Sequence, residues 1–571
     1  MGVSGGALVR WLPGLGQFRG YRGGWLRADT IAGVTVAAYL VPQVMAYATV
    51  AGLAPIVGLW AALGPLAVYV VLGTSRQLSV GPESTTALMT AVTLAPLASG
   101  DPARYAALAA ALALLVGVCC TVGAVARLGV LGDLLSKPVL VGYLAGTAGI
   151  MIVGQLGRIS RVSVEGEGIF DQLCSFAAHL GEWHWPTAFL AAGTLTLLLF
   201  SAWKTPRLPG PLMAVLGAAA VVTVFSLREH GIRVVGEIPS GLSVLRVPHV
   251  AASDLGRLLL PAVGIALVGF SDMVLVARAF AARHGTTVDA NRELLAMGAT
   301  NLAAGVSQGF PVSCSGSRTT IADTAGARTQ LYAVAALATV LAVLLWARRV
   351  LAAFPDAALG ALVVYAALRL IDLAEFRRLS RFRRSELVLA LSTAAAVLAA
   401  GVLYGILIAI GLSILDLLRR IARAHDAIQG FVPDLAGMHD IDDYPEAKLV
   451  PGLVVYRYDA PLCFANAEDF RRRALAAIDA SAAGGHPVRW FVLNAEANVE
   501  VDLTALDAVE QLRTELDSRG IVFAMARVKQ DLLTALDAAG MIDRIGADRL
   551  FPTLPTALEA YRRETRDSGP G

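Results

Sequence analysis

Apolar residues run almost without pause from about Ile31 to about Leu418, and polar or turn-forming positions cut the run at regular intervals. One crossing of a bilayer by a helix takes ~20 apolar residues, fewer where the helix is broken. Cutting at the turn formers predicts spans near 30–48, 56–73, 83–98, 105–126, 135–156, 187–203, 210–227, 257–281, 292–306, 317–327, 329–346, 350–371, 385–401 and 403–419. The third and tenth of these are short. Hydropathy by itself supports about ten to fourteen spans.

Two polar interruptions stand out inside this run. One is Ser79-Val80-Gly81-Pro82-Glu83-Ser84-Thr85-Thr86, and the other is Gly309-Phe310-Pro311-Val312-Ser313-Cys314-Ser315-Gly316-Ser317-Arg318-Thr319-Thr320. A bilayer tolerates non-helical backbone only where protein or a watery cavity satisfies its N–H and C=O groups. Broken segments at corresponding places in two halves point to a transporter's binding site. Pro82 before Glu83 predicts a helix starting there, and a half-helix starting at mid-membrane presents unpaired N–H groups and a positive dipole end that suit an anion. Ser84, Thr85, Ser315 and Ser317 offer hydroxyl donors, and Gly316 lets the backbone come close to a ligand. The two helix ends are predicted to face each other across the midplane.

Four charged or amide groups nearby call for a role. Arg318 opposes the dipole of its own helix, and burying it at the bilayer centre costs at least ~2.5–3.5 kcal/mol. A bound anion offsets both costs; a structural pair with Glu83 or Asp272 is the competing reading. Asp272 lies inside the eighth span, where a carboxylate is a functional candidate, here for ion coupling, with a static pairing to Arg318 as the alternative. Glu83 either caps its own helix or serves as a second coupling acid. Gln43, beside Pro42 in the first span, either touches the ligand or bonds a neighbouring helix. Asp323 is expected to pair with Arg328.

Composition agrees with a membrane protein. Of 571 residues, 56% are hydrophobic and 16% charged, with a mean hydropathy of +0.63, against about 25% charged in soluble domains. The net charge of +3 gives no reason to expect a nucleic-acid partner. The first 27 residues hold Arg10, Arg19, Arg22 and Arg27 and no acid, which reads as a cytoplasmic segment, and no signal-peptide pattern opens the chain. From that start Arg76, Arg127, Lys204, Arg207, Arg283, Arg292, Arg328 and the run Arg377, Arg378, Arg381, Arg383, Arg384 all fall inside, as do Arg419, Arg420 and Arg423. Arg158, Arg161, Arg348 and Arg349 fall outside, against the rule. The segment 157–186 then faces outward, with Trp183 and Trp185 suited to an interfacial belt. The run around Arg377–Arg384 reads as a topology and lipid-headgroup signal rather than a substrate site. Five cysteines and eight histidines show no metal-ligand spacing, and no nucleophile–base set suggests an enzyme.

After Ala424 the composition turns polar and acidic. The expected organisation is a basic segment 1–27, a membrane domain 28–424, a linker 425–447, a soluble α/β domain 448–565 and a tail 566–571. In the α/β domain strands are predicted at 453–458, 490–493 and 521–525, alternating with helices near 466–478, 504–518, 530–539 and 556–563. Asn466 is expected to cap the first of these helices.

Several ordered motifs carry a resemblance. They are Val41-Pro42-Gln43-Val44-Met45-Ala46-Tyr47-Ala48, Ala51-Gly52-Leu53-Ala54-Pro55, Ser75-Arg76-Gln77-Leu78-Ser79-Val80-Gly81-Pro82, Gly309-Phe310-Pro311-Val312-Ser313, Ser317-Arg318-Thr319 and Gly326-Ala327-Arg328-Thr329-Gln330-Leu331, with Ala460-Pro461-Leu462-Cys463-Phe464-Ala465-Asn466-Ala467 in the tail domain. Together they make the chain resemble the sulfate permease (SulP) family of anion transporters over nearly its whole length. The resemblance implies a polytopic α-helical membrane domain of two inverted seven-span repeats, about fourteen spans in all. It also implies a core moving against a gate, a cytoplasmic α/β STAS domain, and homodimers in the cell membrane. It supports Arg318 as the anion-sensitive arginine, Gln43 as a pocket residue, and an acid at Asp272 linked to H⁺ or Na⁺. Sodium-using relatives carry a hydroxyl residue one turn later, and Val276 stands there, which favours a proton. Asp502-Leu503-Thr504 matches the place where STAS domains can be phosphorylated, although Thr504 also suits an N-cap. No Walker A sequence supports nucleotide binding.

The expected function is secondary active transport of an inorganic anion, sulfate foremost, coupled to protons by elevator-like alternating access. Bicarbonate, chloride or dicarboxylate transport, an uncoupled anion channel and a sensor remain alternatives. The implied partners are the anion, membrane lipids, a second copy of the chain and a cytoplasmic protein at the STAS domain, with no cofactor beyond the coupling ion.

Overall fold

Proline in a first turn, where its missing N–H is not needed, opens many of the apolar helices: Pro55, Pro102, Pro138 and Pro211 all sit there. Asp101 adds a side-chain cap, accepting from Ala103 N at 2.8 Å. The computed structural model describes residues 12–567 apart from 19, 99, 134–135, 165, 167, 205–208, 239–244 and 484–486. Arg10, Arg19, Arg207 and residues 568–571 of the expected tail therefore lie outside the described residues. The chain divides into two units, Met1–Ser413 and Ile414–Gly571.

The first unit is helical. Its elements are α1 (Trp25–Val50), α2 (Pro55–Leu72), β1 (Val80–Gly81), α3 (Ser84–Leu94), α4 (Pro102–Val125), α5 (Lys137–Gly154), α6 (Trp185–Lys204), α7 (Gly210–Val224), α8 (Ala252–His284), α9 (Ala290–Val306), β2 (Ser313–Cys314), α10 (Gly316–Thr324), α11 (Leu331–Trp346), α12 (Asp356–Leu370), α13 (Leu373–Phe382) and α14 (Arg384–Ala422). Each predicted span falls on a helix, with two differences. The twelfth is divided, because Pro355 separates a short helix (Arg348–Ala352) from α12. The last two meet within α14 at Gly401, whose φ of 79° and ψ of 172° are non-helical and favour glycine, so the break falls where it is predicted. The basic run after α12 forms a helix of its own, α13. Among the described residues eight helices are long and apolar enough to cross a membrane; α3, α7 and α11 are apolar but shorter.

Small residues set the helix packing. α9 lies along α4 and α2, α11 along α1, and α8 along α4, while α12 packs on α5 and α6 and also reaches α1. Where α9 crosses α4, a Cβ on Gly117 would stand 2.8 Å from Gly298 O, and one on Gly298 would stand 3.0 Å from Gly117 O. Only glycine at both positions allows that approach, and lipid supplies no hydrophobic drive to replace the lost packing.

The second unit is an α/β sandwich. Its strands are β3 (Asp426–Phe431), β4 (Met438–Asp440), β5 (Leu453–Tyr458), β6 (Trp490–Asn494), β7 (Val522–Ala526) and β8 (Leu550–Phe551), in the order β4-β3-β5-β6-β7-β8. β5 to β8 run parallel, and β3 is antiparallel to both neighbours. Alternation sorts the faces. Val454, Tyr456, Phe491, Leu493, Phe523 and Met525 point to helices α15 (Ala467–Ala483), α16 (Leu503–Ser518) and α17 (Gln530–Ala538). Leu453, Val455, Trp490 and Val492 point to Leu554, Leu558 and Tyr561 of α18 (Leu554–Asp567).

The stretch expected to be a linker, 425–447, is corrected: it supplies β3 and β4 to this sheet. Its acids are engaged rather than solvated. Asp426 accepts from Tyr456 Oη at 2.8 Å and pairs with Arg473. Asp440 holds His425 Nε2 at 2.8 Å, and that hydrogen bond raises the imidazole above its ordinary 6.5. A histidine raised in the folded state stabilises the fold fully below its unfolded pKa, and that contribution is lost as pH climbs through the folded one. The melting temperature of the full-length His425→Gln protein should thus fall further below wild type at about pH 5.5 than at about pH 8.5. Equal gaps at both pH values would contradict this assignment.

Candidate anion site at two helix tips

The two polar interruptions meet. β1 and β2 pair antiparallel, with Val80 opposite Cys314 and Gly81 opposite Ser313. Ser315 N donates to Ser79 O at 2.9 Å, and Ser79 N donates to Thr319 Oγ1 at 3.0 Å. Backbone groups of each interruption are therefore satisfied in part by the other, and α3 and α10 leave this antiparallel ribbon from its opposite ends.

Buried polar side chains fix both approaches to it. On the α10 side, Asn301 of α9 grips Val312 twice, accepting from its N–H and donating to its C=O, both at 3.0 Å. Ser313 Oγ donates to Gly269 O on α8 at 2.9 Å. On the α3 side, the fully buried carboxylate of Glu293 accepts from Tyr69 Oη at 2.8 Å, Thr74 N at 2.9 Å and Ser75 N at 3.2 Å, and also from Thr74 Oγ1. Gln330 Nε2 donates to Ser75 O at 2.9 Å and to Leu78 O at 3.0 Å, and Tyr332 Oη donates to Leu78 O at 2.9 Å.

The tips differ in chemistry. Glu83 is the N-cap of α3, accepting from Thr85 N at 2.7 Å, from Thr86 N at 3.4 Å and from the Ser84 hydroxyl. Its own carboxylate thus occupies the donors of that tip. Ser84 and Thr85 are buried beside Glu83. At the other tip Ser315 caps α10, accepting from Arg318 N at 3.4 Å, with its Oγ 3.1 Å from Ser317 Oγ. The N–H groups of Gly316 and Ser317 precede the first intrahelical bond. Gly316 is half-buried and Ser317 exposed.

Arg318 is fully buried and spans the gap between the tips. Nη1 donates to Gln43 Oε1 at 3.1 Å and Pro82 O at 3.0 Å, and Nε donates to Ser79 Oγ at 3.4 Å. Its partners are neutral oxygens, so the competing reading, a structural pair with Glu83 or Asp272, is not formed. Nη2 is buried with no hydrogen-bond partner among the described residues. An unpaired guanidinium donor in such a place leaves a large desolvation cost uncompensated. Gln43 is held from both ends, its Nε2 donating to Tyr47 Oη at 3.0 Å. Asp272 on α8 is half-buried and accepts from Cys314 Sγ at 3.5 Å. Val276, one turn on, reaches the start of α10: its Cγ2 lies 3.8 Å from where a Cβ on Gly316 would stand.

Gln43, Glu83, Asp272, Ser315, Gly316, Ser317 and Arg318 thus gather around the ribbon. Thr504 belongs to the second unit and is not an N-cap: Asp502 caps α16, accepting from Ala505 N at 2.8 Å, and leaves Thr504 exposed in the first turn. Asp323 pairs with His284 Nε2 at 2.7 Å rather than with Arg328, whose backbone N–H goes to the buried Asp29 at 2.6 Å. Sequence reasoning missed Glu293, Asn301 and Asp29. An acid within an apolar helix was the available signal for Glu293.

Residues 26–393 match the sulfate permease family, and residues 444–557 match the STAS domain. A probable sulfate transporter of Mycobacterium tuberculosis is 63% identical over 553 residues, covering 97% of this chain and 98% of that protein. Probable sulfate transporter 4.2 of Arabidopsis thaliana is 30% identical, covering 94% of this chain and 81% of its own length. Among solved structures, the murine Solute Carrier 26 family member A9 anion transporter in its inward-facing state superposes with a TM-score of 0.89 at 20% identity, covering 98% of this chain and 95% of that one. The transmembrane domain of a cyanobacterial bicarbonate transporter gives 0.60 at 21% identity, covering 69% and 98%. At these identities the two structures speak for the fold.

The Glu293 clamp makes a measurable claim. Glu293→Ala strips the acceptor from the Tyr69 hydroxyl, the Thr74 hydroxyl and the N–H groups of Thr74 and Ser75, and should destabilise the detergent-purified protein by at least ~3 kcal/mol. Glu293→Gln, which keeps one acceptor oxygen, should lose less. A thermal unfolding curve for Glu293→Ala that overlays wild type would refute the clamp.

Proposed function

The chain belongs to the sulfate permease family, and we propose that it moves sulfate across the membrane by alternating access with a proton as coupling ion. Family and full-length relatives make it an anion transporter and not an enzyme. The observation that carries the substrate site is Arg318: a buried guanidinium with neutral partners and an Nη2 that bonds none of the described residues, set between two helix N-termini. An anion seated at Ser317, against the N–H groups of Gly316 and Ser317 and within reach of Arg318, meets a preformed positive field.

Asp272 supports the proton. It sits beside β2 with a thiol as its hydrogen-bond donor, a weak one, so its charged form is poorly satisfied. With Val276 one turn on, no side-chain oxygen is offered to sodium at that place. In the proposed cycle the ribbon, α3 and α10 travel with α1, α2, α4, α8, α9 and α11 as one body, past a second body of α5 to α7 and α12 to α14. Arg158 Nη2, just beyond α5, donates to Thr49 O near the end of α1 at 3.0 Å. That bond joins the two bodies and has to break when they separate. The loop charges support a cytoplasmic N-terminal segment and STAS domain in this reading, and a homodimer completes it.

Uptake of labelled sulfate and bicarbonate into proteoliposomes, under imposed H⁺ and Na⁺ gradients, tests the proposal. Arg318→Gln should raise the KM for sulfate about tenfold or more, as expected for loss of a charge-assisted hydrogen bond, and Ser317→Ala should raise it several-fold. Asp272→Asn should abolish accumulation driven by the proton gradient while leaving exchange down a sulfate gradient measurable. Unchanged affinity in both pocket variants would sink the site, and proton-independent accumulation by wild type would sink the coupling.

A further inference from the structure

A basic basin lies away from the helix tips. α13 is a ten-residue helix between α12 and α14, set off from them by extended backbone at Ile371 and Arg383. Asp372 caps it, accepting from Ala374 N at 2.9 Å and Glu375 N at 3.0 Å, so its start is closed by its own side chain. Its apolar residues Leu373, Phe376, Leu379 and Phe382 recur at every third position. Only Leu379 is buried; Leu373 and Phe382 are 62% and 65% exposed.

The other face carries Arg377, Arg378 and Arg381, followed by Arg383 and Arg384, all exposed. Arg377, Arg378, Arg381 and Lys137, the first residue of α5, line a cavity of about 670 Å³ together with Leu379 and Phe382. Glu375 and Glu386 also line it. Glu375 is held by Lys137 at 3.0 Å and Arg378 at 3.3 Å, so its charge is already balanced. Arg377 and Arg381 make no ion pair among the described residues. Beyond the cavity, Val388 and Leu391 of α14 expose 62% and 52% of their surface.

A short helix with an exposed apolar edge and a basic face lies in the plane of a bilayer's headgroup layer. A cavity lined by cationic and apolar side chains, continuous with an apolar helix flank, fits a molecule with a phosphate at one end and acyl chains at the other. We propose that this basin binds the phosphate headgroup of an anionic lipid, with Arg377 and Arg381 as its principal donors and the acyl chains along Phe382, Val388 and Leu391. The site is separate from the anion path, since its residues lie on α5, α13 and α14 and none touches the ribbon between the helix tips.

Thermal unfolding of the purified full-length protein, titrated separately with phosphatidylglycerol, phosphatidylcholine and inorganic phosphate, tests this. Phosphatidylglycerol should raise the Tm at concentrations where phosphatidylcholine does not. The Arg377→Gln/Arg381→Gln protein should need about fivefold more phosphatidylglycerol per arginine removed for the same shift. Arg377→Lys/Arg381→Lys should retain most of the response, because a phosphate group accepts a point charge. All the side chains changed are exposed, so the unliganded Tm should stay at the wild-type value. An undiminished lipid response in the glutamine variant would overturn the proposal. So would a shift by inorganic phosphate equal to that by phosphatidylglycerol and lost in the same variant, which would make the basin a site for soluble phosphate.

Discussion

The membrane unit depends on one constraint: irregular backbone inside a bilayer must find its hydrogen bonds within the protein. Two interruptions more than two hundred residues apart meet that demand by pairing with each other. The pairing is only two residues long on each side, too little to persist alone. It holds because α8 and α9 reach in with Gly269, Asn301 and Glu293, and because Gln330 and Tyr332 hold the carbonyls of the α3 approach. The glycine contact between α4 and α9 brings the helix that carries Asn301 and Glu293 close to the bundle's centre. Packing by the smallest residues and binding by the most polar ones are thus parts of one arrangement.

Arg318 is the energetic counterpart of that arrangement. Several neutral oxygens reduce the desolvation cost of a buried guanidinium but do not cancel its charge. A carboxylate in the same place would give a more stable resting protein and a poorer receptor for a mobile anion. Asp272 and Glu83 both lie near, yet one meets a thiol and the other its own helix. No carboxylate bonds the positive charge, and the proposed transport cycle draws on that. The unit trades stability for an unneutralised charge at its centre, as sites that must bind and release generally do.

How much of this the sequence disclosed varied with how local the cause was. The half-helices were legible because Gly, Pro, Ser and Thr clustered inside an apolar run mark a break in the helix wherever they occur. Arg318 was legible as an anomaly, but its neutral partners were not, since Gln43 and Ser79 come to it from more than two hundred residues away. Glu293 sat beside Arg292 at the edge of a predicted span and looked like a boundary. Only the fold turns it inward to four donors. The acids after Ala424 looked like a solvated linker by composition, whereas their partners Tyr456 and Arg473 lie in later elements. Thr504 and Asp502 are both competent caps. Backbone angles decide between them, and Asp502 has the extended φ of −98° and ψ of 171° that a cap requires.

The carboxylate of Glu83 seated on the start of α3 has a further consequence. The membrane unit has two like tips, but one is closed by a built-in surrogate anion, while the other is capped only by the neutral Ser315 hydroxyl. Structural pseudo-symmetry therefore does not extend to recognition. In the proposed cycle, cargo at the α10 tip would meet a lopsided receptor, with an uncharged cap on one flank and a covalently tethered competitor on the other.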